Sequence, residues 1–143
     1  MAGLSSIFGI LGRVGGMDAL IRGNDVARAT NFARPIDVTT VGAGTITADM
    51  VSGGTLLRRS GPGAAFTDTF PTAALLTAQF PEIADGDAII MSYSNRVAFV
   101  ATLAFGAGLT LQATSAATVA ASASCTLVFQ RTSATAWTVE IAG

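Results

Sequence analysis

The chain has 143 residues, which is enough for one domain with a sizeable core and a short appendage. It contains no histidine, no lysine and a single cysteine, so most acid–base, metal-binding and Schiff-base chemistry lacks its usual residues. The formal net charge of −1 argues against a nucleic-acid-binding protein, which normally carries a basic patch. We therefore expect a non-enzymatic protein, with no cofactor and no nucleic-acid partner, that functions through its surface.

The composition is unusually apolar for a free soluble domain. Charged residues make up 12% of the chain, about half the roughly 25% that is usual, and the mean hydropathy is +0.57. A monomer of 14.4 kDa has little room to bury so much apolar surface, so we expect copies of the chain to associate into a homo-oligomer. The alternative is that many of these residues are alanines, which are harmless when exposed.

Residues 1–35 are predicted to form an N-terminal anchoring arm. Apolar residues recur there at helical spacing, but interspersed glycines each weaken a helix by up to about 1 kcal/mol. We expect the arm to be partly helical or extended and to order against a partner. It carries four arginines and two aspartates, whereas the rest of the chain is net acidic. The residues predicted to anchor it are Leu4, Ile7, Phe8, Leu11, Arg13, Arg22, Arg28 and Arg34.

The sequence of the arm is not typical of a membrane-spanning segment. Its opening stretch, residues 1–12, is apolar, but no basic residue precedes it and Arg13 follows too soon for a membrane span. We therefore expect no membrane partner.

Residues 36–143 are predicted to form a β-sandwich body. Alternating apolar and polar residues predict strands over 36–41, 45–47, 55–59 and 65–70, with a helical turn at 48–53. Gly42, Gly44 and the run Ser60–Gly63 mark turns. Arg58 and Arg59 are adjacent in an extended segment and therefore point to opposite faces. We expect one of them to reach an interface or a carboxylate.

One short helix is predicted over residues 72–80. Thr72 is its expected N-cap, Pro81 closes it, and Leu75, Leu76 and Phe80 are expected to face the sheet. Strands are predicted to follow at 88–93, 97–105 and 109–113, and residues 124–131 and 137–141 to form a hairpin. The low-complexity run 115–124 is either an exposed loop or a strand packed closely against a neighbouring subunit.

This spacing of short strands and Gly/Ser turns predicts a mainly β fold, either an antiparallel β-sandwich or a jelly-roll-like barrel with one short helix. Catalytic and binding patterns are weak within it. Asp85-Gly86-Asp87 could offer oxygen ligands to Ca²⁺ but lacks the full ligand set of a calcium-binding loop. Cys125 is expected to be buried and inert, and Trp137 to lie in the core.

Several segments of the body resemble small β domains of bacteriophage virion proteins, such as head decoration and head-fibre proteins. The resemblance covers roughly residues 54–143 and rests on TDTFPTAALLTAQFP (67–81), DGDAIIMSYSN (85–95), AFGAGLTLQ (104–112) and CTLVFQRTSATAWTVEIAG (125–143). It implies a β fold, homo-oligomers that are often trimers, attachment to a capsid or tail, and no cofactor. It carries over no set of functional residues.

The sequence therefore predicts a virion structural protein on the capsid surface, one that decorates or cements the capsid or forms the base of a head spike. Its expected partners are copies of itself, as a trimer, and the major capsid protein or other virion proteins. Two alternatives stay open: a phage tail or fibre component, and a carbohydrate- or surface-binding β-sandwich module. The last would need clustered exposed aromatic residues, for which only Tyr93 and Trp137 are available.

Overall fold

The first six strands alternate between two sheets as the chain advances. The computed structural model of the chain describes residues 34–143. Within them, the first sheet receives β1 (Ile36–Val38), β3 (Leu56–Arg59) and β5 (Ala88–Asn95). The second sheet receives β2 (Gly44–Thr45), β4 (Phe66–Thr69) and β6 (Ala101–Ala104). Because the chain returns through the opposite sheet after each strand, neighbouring strands of this part of each sheet run parallel.

Four later strands complete the two sheets. They are β7 (Leu109–Leu111), β8 (Thr118–Val119), β9 (Ser124–Ser133) and β10 (Ala136–Ala142). The strand order is β1-β3-β5-β9-β10-β7 in the first sheet and β2-β4-β6-β8 in the second. β9 runs antiparallel to β5 and β10, and β8 runs antiparallel to β6, whereas β7 runs parallel to β10.

The predicted mainly β class with one short helix is confirmed, and so is the hairpin formed by β9 and β10. The sheets are mixed, however, where the sequence predicted antiparallel pairing. The physical reason lies in the connections. Apolar alternation shows where strands occur, but it does not show which sheet each strand joins, and that choice sets the direction of its neighbours.

The helix α1 (Ala73–Gln79) begins where the sequence predicted. The Thr72 hydroxyl caps it by accepting a hydrogen bond from the Leu75 backbone N–H at 3.2 Å. Leu76 is fully buried and Phe80 packs against the core. The prediction that Leu75 faces the sheet is wrong, since its side chain is 54% exposed. One residue of helix is a rotation of about 100°, so Leu75 and Leu76 cannot both face the core squarely.

Both sheets bury side chains in one hydrophobic core. The first sheet contributes Leu127, Phe129 and Trp137, among others, and the second contributes Phe66 and Leu103. Phe129 also lies against Phe70 with ring centroids 5.6 Å apart, and a third ring, that of Phe105, lies 5.4 Å from Phe70. Trp137 is fully buried, as predicted from its place in the final strand.

One predicted strand needs correction, and most of the predicted arm lies outside the described residues. The strand predicted over residues 97–105 is shorter, because only Ala101–Ala104 are extended in the sheet and the preceding residues form a loop. Phe99 is 39% exposed in that loop. Of the predicted arm, residues 1–33 lie outside the described residues.

Candidate interaction surface

A buried ionic cluster of Arg59, Asp68 and Tyr93 joins the two sheets. Arg59 on β3 and Tyr93 on β5 belong to the first sheet, and Asp68 on β4 belongs to the second. The side chains of Arg59 and Asp68 are 0% exposed, and Tyr93 is equally buried. The Arg59 Nε donates to the Asp68 carboxylate at 2.9 Å, and the Tyr93 hydroxyl donates to the same carboxylate at 2.7 Å.

The rest of the Arg59 guanidinium holds the loop between β1 and β2. Its Nη1 donates to the Thr40 carbonyl at 2.6 Å, and its Nη2 donates to the Gly42 carbonyl. The Phe66 ring lies 4.7 Å from the guanidinium carbon, which adds a cation–π contact. The space is tight, because a methyl group at Gly44 would lie 2.5 Å from the Asp68 Oδ1 atom.

We interpret this cluster as structural. A buried charge is tolerated only when it is paired and its hydrogen-bonding groups are satisfied, which is the condition met here. The structure also shows that the adjacent residues Arg58 and Arg59 have different partners. Arg59 reaches a buried carboxylate, whereas Arg58 pairs on the outside with Asp37 at 2.7 Å, where both side chains are partly exposed.

The buried side chains of Tyr93 and Cys125 predict a loss of stability at alkaline pH. Burial, reinforced by the hydrogen bond to Asp68, raises the pKa of Tyr93 well above its ordinary value, and burial raises the pKa of Cys125 to about 11. The unfolded chain therefore releases these protons at lower pH than the folded chain, so the free energy of unfolding falls as pH rises from about 9 to 11. Urea unfolding midpoints at pH 7.5, 9 and 10.5 measure this.

The composition of the chain makes the effect of Tyr93 and Cys125 on alkaline stability easy to isolate. The chain has no lysine, one tyrosine and one cysteine, so few other groups change charge in that range. We expect the fall in midpoint to become smaller in Tyr93→Phe and in Cys125→Ala. A midpoint that stays constant from pH 7.5 to 10.5 in the unmodified chain would contradict the prediction.

Asn95 fixes the loop that follows β5. It is 1% exposed, and its side-chain amide donates to the Phe99 carbonyl at 2.7 Å and the Ala120 carbonyl at 2.9 Å. Its side-chain oxygen accepts from the Val97 N–H at 3.3 Å. These bonds hold the backbone of residues 96–100 out of the strand conformation that their apolar alternation predicted.

The acidic loop that follows α1 is tied to β9. The Arg131 guanidinium lies 2.8 Å from the Asp85 carboxylate and donates to the Ile83 carbonyl at 2.5 Å. The Asp87 carboxylate accepts from the Ala84 N–H at 3.0 Å. Across residues 34–143 no group of three or more histidine, cysteine, aspartate or glutamate residues is placed to hold a metal ion.

The residues that a stacking or redox function would need are inside the protein. Trp137 and Tyr93 are both 0% exposed, so neither is available to stack on a sugar ring. Cys125 is a buried free thiol, as predicted. Within the described part of the chain, no helix is long and apolar enough to cross a bilayer.

Residues 97–130 form an uncharged segment that covers β6, β7, β8 and most of β9. The segment contains no aspartate, glutamate, lysine or arginine. It includes two exposed large apolar side chains, Phe99 at 39% and Val100 at 44%. Soluble domains normally intersperse charges over their exposed surface, so an uncharged stretch with exposed apolar side chains is typical of an interaction surface.

A groove of about 480 Å³ lies in this region, next to the edge strand β8. The low-complexity run forms much of its wall, through small residues such as Ala116, Thr118 and Ala120. Cys125 and Ile141 contribute from β9 and β10. None of the groove residues has a charged side chain. The run 115–124 is thus mostly exposed, with one short strand in it, and its small side chains leave room for the groove.

Most of the predicted anchor residues cannot be placed. Leu4, Ile7, Phe8, Leu11, Arg13, Arg22 and Arg28 lie outside the described residues. Arg34 is described, and it is exposed two residues before β1.

Sequence reasoning missed the Arg59 cluster and the groove. A signal for the cluster was present, since Asp68 shares a strand face with Phe66, and Arg59 shares one with the core residue Leu57. The groove had a weaker signal in the run of small residues. Comparisons with protein-family models, with curated proteins and with solved structures found no match.

Proposed function

We propose that this chain is a non-enzymatic structural component of a bacteriophage virion that decorates or cements the capsid surface or forms the base of a head spike. In this role the body associates with copies of itself, as a trimer, and residues 1–35 anchor it to the major capsid protein or another virion protein. Binding only to the assembled state would stabilise that state by mass action.

The observation that carries the proposal is the uncharged segment 97–130 with its exposed Phe99 and Val100. An exposed surface of this kind favours association over a free monomer. The buried ion pair of Arg59 and Asp68 joins the two sheets and is not available to an interface. The resemblance of residues 54–143 to virion β domains supplies the type of assembly.

A tail or fibre component is the nearest alternative, since the same surface properties suit any virion assembly. A carbohydrate-binding module has less support, because Trp137 and Tyr93 are buried. Among the described aromatic side chains, Phe99 is the one with substantial exposure, and one ring does not make a stacking platform.

Mass spectrometry of virus particles purified from cells that carry this gene tests the proposal. We expect peptides of this chain in the particle fraction at a constant ratio to the major capsid protein. Absence of the chain from particles whose capsid protein is abundant would contradict the proposal.

A further inference from the structure

The groove lies between β8 with its adjoining loops and the start of β9 and end of β10. The first sheet has six strands and the second has four. The helix α1 covers the start of β10, where the Trp137 Nε1 donates to the Thr77 hydroxyl at 3.0 Å. Near the other end of the strand, Ile141 is only partly buried against the core and lines the groove.

The chemistry of the groove favours an apolar occupant. Its walls offer methyl groups, a few hydroxyls and no charged side chain. An acidic segment placed there would lose hydration without gaining a cationic partner, which is strongly unfavourable. The volume of about 480 Å³ accommodates a few medium-sized apolar side chains.

The chain itself contains a segment with the matching character. Residues 2–12 carry no charged side chain, and the first arginine follows at position 13. Five large apolar side chains, Leu4, Ile7, Phe8, Ile10 and Leu11, are spread along this segment. Residues 13–33 separate it from the body and could span up to about 70 Å if extended, far more than the width of a domain of this size.

We propose that residues 2–12 of one copy bind in the groove of a neighbouring copy. The inference rests on the proposed function, because an assembly component needs contacts that link one copy to the next. Binding of this segment joins neighbouring bodies.

Directed disulfide formation between two co-expressed versions of the full chain tests this inference. One version carries Ser6→Cys and the other carries Ala120→Cys with an affinity tag, and both carry Cys125→Ala so that no native thiol remains. Ala120 is an exposed groove residue, so its replacement should not disturb the core. After mild oxidation, we expect a disulfide-linked pair of one tagged and one untagged chain.

Matched controls separate docking from random collision. Ala116→Cys, a second exposed groove position, should give the same cross-link, whereas Ala78→Cys, exposed on α1 outside the groove, should give at least tenfold less. Equal cross-linking at Ala78 and Ala120, or none at either groove position in folded protein, would overturn the inference. The assay uses purified protein without particles. The cross-link can therefore be absent while the chain still associates with particles, and the cross-link can form while the chain is absent from particles.

Discussion

Replacing Asp68 with alanine is expected to lower the free energy of unfolding by about 3–5 kcal/mol, because it leaves the buried Arg59 guanidinium without its counter-charge. The same change removes the acceptor of the Tyr93 hydroxyl, which is equally buried. Domains of this size are typically stable by about 5–15 kcal/mol, so this one substitution would remove a large share of the total. Urea unfolding followed by far-UV circular dichroism measures the loss.

The adjacent ion pair provides a matched control for that experiment. Asp37→Ala breaks the pair between Asp37 and Arg58, whose side chains are 51% and 30% exposed. An exposed pair of this kind is screened by solvent and contributes little to stability, so the loss should be much smaller than for Asp68→Ala. The double variant Arg59→Met with Asp68→Leu should recover much of the stability lost in Asp68→Ala, since it removes both charges. Equal losses for Asp68→Ala and Asp37→Ala would show that the buried cluster does not hold the sheets together.

Replacing Trp137 with alanine is expected to lower the free energy of unfolding by a similar amount, about 3–5 kcal/mol. The side chain is fully buried, and its indole N–H donates to Thr77 on α1, whose hydroxyl donates in turn to the Ala134 carbonyl at 2.8 Å. Truncation would leave a cavity between the helix and the hairpin and would break this chain of hydrogen bonds. Circular dichroism must follow the unfolding, because Trp137 is the single tryptophan.

Two further substitutions complete this experiment: one that keeps part of the Trp137 packing without its hydrogen bond, and one control on the same helix. Trp137→Phe keeps part of the buried volume, so it should be less destabilising than Trp137→Ala. Leu75→Ala changes an exposed side chain on the same helix and should alter stability by no more than about 0.5 kcal/mol. A Trp137→Ala variant as stable as Leu75→Ala would contradict the role of Trp137 in attaching α1 to the sheet.

The elements that the sequence predicted well are those whose local signals agree. Thr72 and Pro81 bracket an apolar run, and α1 lies between them; the final hairpin alternates clearly on both strands. Residues 97–105 alternate just as clearly, yet only part of them joins a sheet. There the side chain of Asn95 binds the carbonyl of Phe99, four residues further on, and apolar alternation alone does not show that a nearby polar side chain competes for the backbone.

The candidate surface was less predictable than the fold. Small residues in the run 115–124 indicated an unusual segment, but a groove depends on what lies across from it. Here that is the start of β9 and the end of β10, which belong to the other sheet. Pairing of Arg59 with Asp68 likewise depends on which sheet each strand joins. Both features arise from the alternation of strands between the sheets, and single-strand patterns carry little information about it.

Association with virus particles is the measurement that tests the proposed role most directly. Particles should be purified on a density gradient from cells that carry the gene, digested, and quantified by mass spectrometry, with immunogold labelling against the body to locate it. We expect the chain to co-sediment with the major capsid protein and the label to lie on the capsid. A particle peak without the chain would contradict a virion role, and labelling confined to the tail would contradict its placement on the capsid.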